Sequence, residues 1–402
     1  MGKYEIVEYS EERFDDLFSL FQSVTPNKRP PDYIFNRKNL FEWQHHGFGH
    51  QEAKTLLLYN VNDSRVVAYR GSVPGLYQIP TKRGNYRIEN GTVISGWLSR
   101  SDEGLTAGQA LELHYRLQNL LPVTVAMLFG NELTLPIYKL SKFNLSSALN
   151  RYVFPLDAKG YKSLCSGLIN NAALSTWTRS IEMAMLGVAA ESPIAPCPRE
   201  LEALWTHISN AVPLFGLYRN RDYWEWRYID CPTSQYFFWG SPDDVGIIVG
   251  RIELILQRKE FSFDVCFPLH GKKVLRIIDI IPRAKQSWLN ESTNPQFQRL
   301  LLGVLLWAKE QGCWAADFQH SSKRFDHLLA GVGFGLQGAH YNPPLHSLAG
   351  LFQPFQFCPK PINLAWRVKN TEDNLCGDIE NTYFVKSEGT ADHPKFWPLP
   401  AG

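Results

Sequence analysis

The chain has no long apolar run, no block of like charge and no closely spaced pair of cysteines. No stretch approaches the roughly 20 apolar residues that cross a bilayer, so membrane insertion is not expected. Lys and Arg number 41 against 39 Asp and Glu, a net charge of +2. With the charges dispersed, no nucleic-acid footprint is expected either. The seven cysteines, at 165, 197, 231, 266, 313, 358 and 376, are scattered and odd in number. They suit neither a zinc knuckle nor a redox pair, and predict reduced thiols in the cytoplasm. The opening MGKYEIVEYSEERF has no apolar core of a signal peptide. P-loop and Gly-x-Ser-x-Gly patterns are missing. His45, His46 and His50 lack a Cys or Glu at ligand spacing, so no metal is expected.

What is present is a chain of 402 residues, 44% hydrophobic and 20% charged, long enough for two or three domains with large cores. Aromatics reach 13%, with 12 Trp. An edge strand at 4–9 is followed by a capped helix carrying Phe14, Leu17, Phe18 and Phe21 at helical spacing. A second helix carries Leu40, Phe41 and Trp43. Strands are expected at 55–60, 66–73 and 75–80, with Asn62-Asp63-Ser64 as a turn. The busiest stretch is 90–143: a strand at 92–98, a small-residue turn at 103–108, a helix at 110–120, a strand at 123–129 and a short helix carrying Tyr138. Residues 151–154 read as the last strand of this unit.

The pattern then restarts. Phe41-Glu42-Trp43 is echoed by Trp224-Glu225-Trp226, and the same order of elements follows at an offset of 183 residues. A repeat of that length means two copies of one domain. The expected organisation is a first unit at 1–156, a helical insert and Pro-rich linker at 157–200, a second unit at 201–342, and an extension at 343–402. The extension is expected to pack on a domain surface, with one strand at 381–386. The fold class is α/β: two tandem units, each a mostly antiparallel mixed sheet flanked by helices, with splayed strands in the first copy.

Residues 103–143 resemble the GNAT acyltransferase superfamily, which moves acyl groups from coenzyme A thioesters to amines. Glu103, Gly104, Leu105, Thr106, Ala107 and Gly108 stand where that family has an Arg/Gln-x-x-Gly-x-Gly/Ala turn around the coenzyme A pyrophosphate. Gly108 keeps the second glycine, whereas Thr106 and Glu103 depart from the motif. The later Asn131, Tyr138 and Phe143 match the family better, and the resemblance implies that Tyr138 protonates the leaving thiolate. The corresponding turn of the second copy, 282–297, has no glycine, so acyl-CoA is expected only in the first. RDYWEWRY at 221–228 and YFVKSEGTADHP at 383–394 are similar to bacterial enzymes that acylate nucleotide-linked amino sugars for surface polysaccharide, of the dTDP-3-amino-3,6-dideoxyhexose type.

The chemistry asks for further groups. Helix N-terminal N–H groups bind phosphate without basic side chains, so Gly104, Thr106, Ala107, Gly108 and Asn131 are assigned to the cofactor. The backbone of Trp97, Leu98 and Ser99 is placed to hold the oxyanion. The attacking amine must be neutral, which favours a base. Glu89 is the first candidate and His114 the second. Asp279 is a third; in its apolar strand it needs a partner such as Arg276. Trp224 and Arg227 could stack on a base and pair with a phosphate of the acceptor, while Trp226 reads as a buried helix face. Two other readings stay open: an aminoacyl-tRNA-dependent peptidyltransferase of the same tandem architecture, and a non-catalytic ligand sensor. The acyl chain, the sugar and the oligomeric state are left open.

Overall fold

The structure, a computed structural model, describes residues 3–24, 38–47, 54–100, 105, 107–129, 134–146, 149–160, 171–254, 271–289, 294–321, 324–337, 362–369, 375–377, 381–385 and 388. The first copy runs β1 (Tyr4–Glu8), α1 (Phe14–Val24), α2 (Lys38–His46), β2 (Leu56–Asn60), β3 (Arg65–Pro80), β4 (Tyr86–Ser99), α3 (Ala107–Leu120), β5 (Val123–Phe129), α4 (Leu135–Leu140) and β6 (Asn144–Ser146). Then come β7 (Asn150–Pro155), α5 (Asn171–Ala184), α6 (Pro198–Ala211) and β8 (Gly216–Leu217). The second copy runs α7 (Arg221–Trp224, continued by a wider π turn to Ile229), β9 (Phe237–Ser241), β10 (Gly246–Leu254), β11 (Lys273–Pro282), α8 (Lys285–Leu289), α9 (Pro295–Glu310), β12 (Cys313–His320), α10 (Asp326–Val332) and β13 (Gly335–Gln337). Last is β14 (Ile362–Val368).

Apolar spacing decides the helices. Phe14, Leu17 and Phe21 recur on one face of α1 and meet Phe41 of α2 and Tyr69 of β3. In α9, the Asn294 side chain accepts from the Phe297 N–H, and Leu301, Val304, Leu305 and Ala308 are buried. The strands expected at 66–73 and 75–80 form one 16-residue strand, β3.

Two sheets result. The first has the order β1-β2-β3-β4-β5-β14-β6, with β8 paired to β3; the second has the order β9-β10-β11-β12-β7-β13. Each contains one parallel pair, β4–β5 and β11–β12, among antiparallel ones. The order β2-β3-β4-α3-β5-α4-β6 thus matches β9-β10-β11-α9-β12-α10-β13 element by element, and the fold class is the expected one.

The seventh strands are exchanged, contrary to expectation. Strand β7 does not close the first sheet: it lies between β12 and β13 of the second. Strand β14 does not cover a surface: it lies between β5 and β6 of the first. Tyr152, Val153 and Phe154 are all buried, as are Leu364, Ala365 and Trp366. Segments buried on both faces belong inside a sheet, and each sheet offers one such slot. Of the strand expected at 381–386, Thr382 and Val385 make single bridges to Phe215 and His320. Residues 261–268, whose apolar pattern reads as a further strand of the second unit, and the segment 343–361 lie outside the described residues.

The copies share one core, which runs from Val73, Tyr77 and Val125 of the first sheet through Trp205, Trp224 and Trp239 to Trp288 and Phe318 of the second. The two echoed tryptophans meet: Trp43 and Trp226 stack with centroids 5.1 Å apart, and the Trp226 indole N–H donates to the Trp43 carbonyl at 3.0 Å. Among the described residues no helix is long and apolar enough to cross a membrane. Among them, too, no group of three His, Cys, Asp or Glu side chains could hold a metal.

Candidate active site

Strands β4 and β5 pair from Gly91↔Val123 to Ile94↔Ala126 and no further, although β4 continues to Ser99 and β5 to Phe129. The parting coincides with a bulge. Arg70 faces Trp97 and Gly71 faces Ser95, which leaves Gly96 as the extra residue, at φ +43°. A bulge sharpens local twist and turns the strand away from its neighbour. Among the described residues, no backbone segment pairs with either edge in the gap. The first turn of α3 follows, with Gly108 exposed. Gly104, Thr106 and Asn131, and the side chain of Ala107, lie outside the described residues.

One wall of the gap is polar and buried. The Arg70 guanidinium donates to Tyr138 Oη at 2.7 Å, to the Gly96 carbonyl at 3.1 Å and to His114 Nδ1 at 3.3 Å. It lies 4.9 Å from the Trp97 ring, which stacks on His114. Ser141 Oγ sits 3.3 Å from His114 Nε2, and Phe143 meets Tyr138 edge-on. Burial first, then the charges of Arg70 and Arg367, push the His114 imidazole down to about 3. It is therefore neutral near pH 7 and can accept from Arg70. Arg70 is only 3% exposed, its Nε has no hydrogen-bond partner, and no carboxylate among the described residues pairs with it. A buried cation without a counterion is a place for developing negative charge. Sequence reasoning missed Arg70. The available signal was an arginine inside the apolar run Val66–Val73 that otherwise reads as a buried strand.

Of the residues singled out from sequence, the fold brings Tyr138, Trp97 and His114 together. Leu98 turns to the opposite face, against the α1–α2 cluster, and Ser99 ends β4 opposite Ala68. Glu89 lies opposite Tyr77, before the β4–β5 pairing begins, half-exposed and 3.6 Å from Arg87. The structure does not bring it to the gap. Trp224 is fully buried, and Arg227 lies 5.8 Å from the Trp43 ring and 5.7 Å from the Trp226 ring. Arg227 thus belongs to the junction between the copies, whereas Trp224 packs on Tyr228 and Phe238 inside the second, so neither side chain is presented to an acceptor.

Asp279 belongs to the other sheet, and its partner is Arg219 rather than Arg276. Asp279 accepts from Arg219 Nε at 2.8 Å, from Tyr383 Oη at 2.5 Å and from Tyr228 Oη at 3.4 Å. Arg276 instead pairs with Glu253 and Asp317. This network closes the second gap. Strands β11 and β12 pair only as far as Ile277↔Phe318, while β11 continues to Pro282. There the Tyr383 hydroxyl accepts from the Ile280 N–H and lies 3.0 Å from the Ile280 carbonyl. The Phe384 backbone bonds both the backbone N–H and the hydroxyl of Ser321. Arg219 also holds Glu388 at 2.8 Å. Burial pushes the Glu388 carboxyl up to about 7, against the pull of Arg219 and with the repulsion of Asp279. Two carboxylates thus depend on one fully buried guanidinium. Arg219→Leu should cost about 3 kcal/mol of stability by stranding them. A urea midpoint equal to that of the wild type would contradict this.

No family model matches the chain, and no curated protein does. Solved structures do match. A probable N-acyltransferase from Enterococcus faecalis V583 aligns with 92% of this chain and 73% of its own at 9% identity, with a TM-score of 0.51. A GCN5-related N-acetyltransferase from Anabaena variabilis aligns over 91% and 73% at 11% identity, with a TM-score of 0.50. At such identities the likeness shows the fold alone: two mixed sheets flanked by helices, joined in one chain.

Proposed function

We propose that the protein is an N-acyltransferase that moves an acyl group from coenzyme A to an amine held at the β4–β5 gap. The asymmetry of the two gaps carries this reading. One is bordered by a buried Arg70, beside Tyr138, that pairs with no carboxylate among the described residues, whereas the other is filled by the chain's own residues 382–385. The thioester lies in the first gap, with the coenzyme A pyrophosphate at the N-terminus of α3, near Gly104, Thr106, Ala107, Gly108 and Asn131. The amine nitrogen attacks the thioester carbon, and the oxyanion meets N–H groups of β4 around Trp97, Leu98 and Ser99. The C–S bond then breaks, and the sulfur takes the proton of Tyr138. Because Arg70 donates to Tyr138 Oη, the phenol oxygen acts there as acceptor and its own proton is left for the sulfur.

The acceptor in this reading is a nucleotide-linked amino-deoxy sugar of the dTDP-3-amino-3,6-dideoxyhexose type, acylated in the cytoplasm for surface polysaccharide. The resemblance of 221–228 and 383–394 supports it.

Calorimetry with acetyl-CoA, and mass spectrometry of acyl-CoAs incubated with a panel of nucleotide amino sugars, test the reading. Tyr138→Phe should lower kcat by about 30-fold with KM for acyl-CoA little changed. Absence of heat with every acyl-CoA tried would sink the proposal. Acyl-CoA binding with no acylated sugar would sink only the choice of acceptor.

A further inference from the structure

We propose that Ser95, Tyr69 and His45 form the relay that takes the proton from the attacking amine. This rests on the acyl-transfer reading of the same gap. Ser95 is the first residue of β4 beyond the last β4–β5 pair, next to the Gly96 bulge. Its side chain lies on the α2 side of the sheet, whereas Trp97 stacks with His114 of α3 on the other. The leaving thiolate and the incoming amine would thus be served from opposite faces of one gap.

The three side chains form a closed triangle. His45 Nε2 lies 3.0 Å from Ser95 Oγ and 2.9 Å from Tyr69 Oη, and the two hydroxyls are 3.3 Å apart. His45 Nδ1 lies 2.8 Å from the Phe41 carbonyl. A carbonyl only accepts, so Nδ1 carries the proton and Nε2 presents its lone pair to the hydroxyls. A histidine oriented by a backbone carbonyl, with its unprotonated nitrogen on a hydroxyl, is the arrangement of a general base. Burial holds the imidazole down to about 4, opposed by the Phe41 carbonyl and reinforced by neighbouring His46. It is therefore neutral at pH 7.

Two further observations separate this triangle from ordinary core. Position 71 is glycine, and a Cβ there would collide with both Tyr69 Oη and Ser95 Oγ. In the second copy, where the gap is closed, the triangle is missing. The 183-residue offset puts Tyr228 in place of His45, and the matching bulge puts Ile277 in place of Ser95. The copy whose gap no described backbone segment closes is the copy with the relay.

The step balances as follows. As the amine nitrogen bonds to the thioester carbon, its proton passes to Ser95 Oγ, and the Ser95 hydroxyl proton passes to His45 Nε2. The C–S bond breaks and the sulfur takes the Tyr138 proton. The imidazolium then releases its proton to water and the tyrosinate regains one, so amine and thioester yield amide and thiol. Bonding to the carbonyl carbon acidifies the nitrogen, which lets a weak, desolvated base suffice.

The test uses the full chain with acetyl-CoA and two probe amines. One is ethanolamine; the other is hydroxylamine, whose nitrogen gives up its proton far more readily. His45→Gln and Ser95→Ala should each lower kcat with ethanolamine by about 50-fold but with hydroxylamine by less than about 5-fold, with acetyl-CoA affinity unchanged. Equal losses with both amines would mark a merely structural role and overturn the relay, as would wild-type rates in both variants. A wild type that binds acetyl-CoA but acetylates neither amine overturns the relay alone. One that does not bind acetyl-CoA overturns the acyl-transfer reading as well.

Discussion

Arg70→Leu should lower kcat for acyl transfer by about a thousandfold while leaving the protein as stable as the wild type or slightly more so. The two halves of this expectation have one cause. The guanidinium is buried and makes three hydrogen bonds, but no carboxylate among the described residues compensates its charge and its Nε is unmatched. Removing such a charge from water costs several kcal/mol in the resting protein, which a leucine of similar reach would not incur. In the transition state the same charge faces a phenolate forming on Tyr138, 2.7 Å away, and a thiolate beside it. Parallel measurements of kcat and the urea midpoint decide the matter. A loss of activity matched by a loss of several kcal/mol in stability would reduce Arg70 to a structural residue, and full activity would remove it from the chemistry.

Acidification should destabilise the protein between about pH 6.5 and pH 4. Burial holds the imidazoles of His45, His114 and His320 down to about 4, 3 and 3. Neither ring nitrogen of His320 has a hydrogen-bond partner among the described residues. The unfolded chain binds protons at these residues as pH falls below 6.5, whereas the folded chain does not until about 4 or lower. Stability contributed by the neutral rings is therefore lost on acidification, by roughly 2 to 3 kcal/mol per histidine at pH 4.5. Glu388 works the other way. Its carboxyl is raised in the fold, so its contribution is present at low pH and fades as pH rises through about 7. It offsets about one of the three histidines, and a net loss of about 5 kcal/mol is expected against a total stability of about 5–15 kcal/mol. Denaturant midpoints at pH 7 and pH 4.5 test this, and equal midpoints would refute it. His320→Phe, which keeps the stacks on Tyr152 and Phe318, should recover about half of the net loss.

Much of this molecule is written locally. Alternating apolar residues mark β2 to β5, the spacing of Phe14, Leu17 and Phe21 marks α1, and the echo of Glu42-Trp43 in Glu225-Trp226 announces the doubling. Each of these is a property of neighbours within a few residues, where side-chain period and helix or strand geometry coincide. Tyr138 was legible in the same way, from its spacing to Phe143. The rest depends on residues that the chain brings together from far apart. Nothing near Asp279 distinguishes Arg276 from Arg219 as its partner, because Arg219 arrives from 60 residues upstream and Tyr383 from 104 downstream. Strands β7 and β14 were readable as buried segments, yet a two-faced apolar segment fits the interior slot of either sheet, and only packing of the whole core assigns it. By itself the sequence determined the two copies, their order of elements and the loss of glycine from the second turn. Tertiary structure alone decided that the strands are exchanged, that the second gap is closed by residues 382–385, and that Arg70 and the Ser95 triangle flank the first. Those features rest on contacts between distant segments, which local periodicity does not encode.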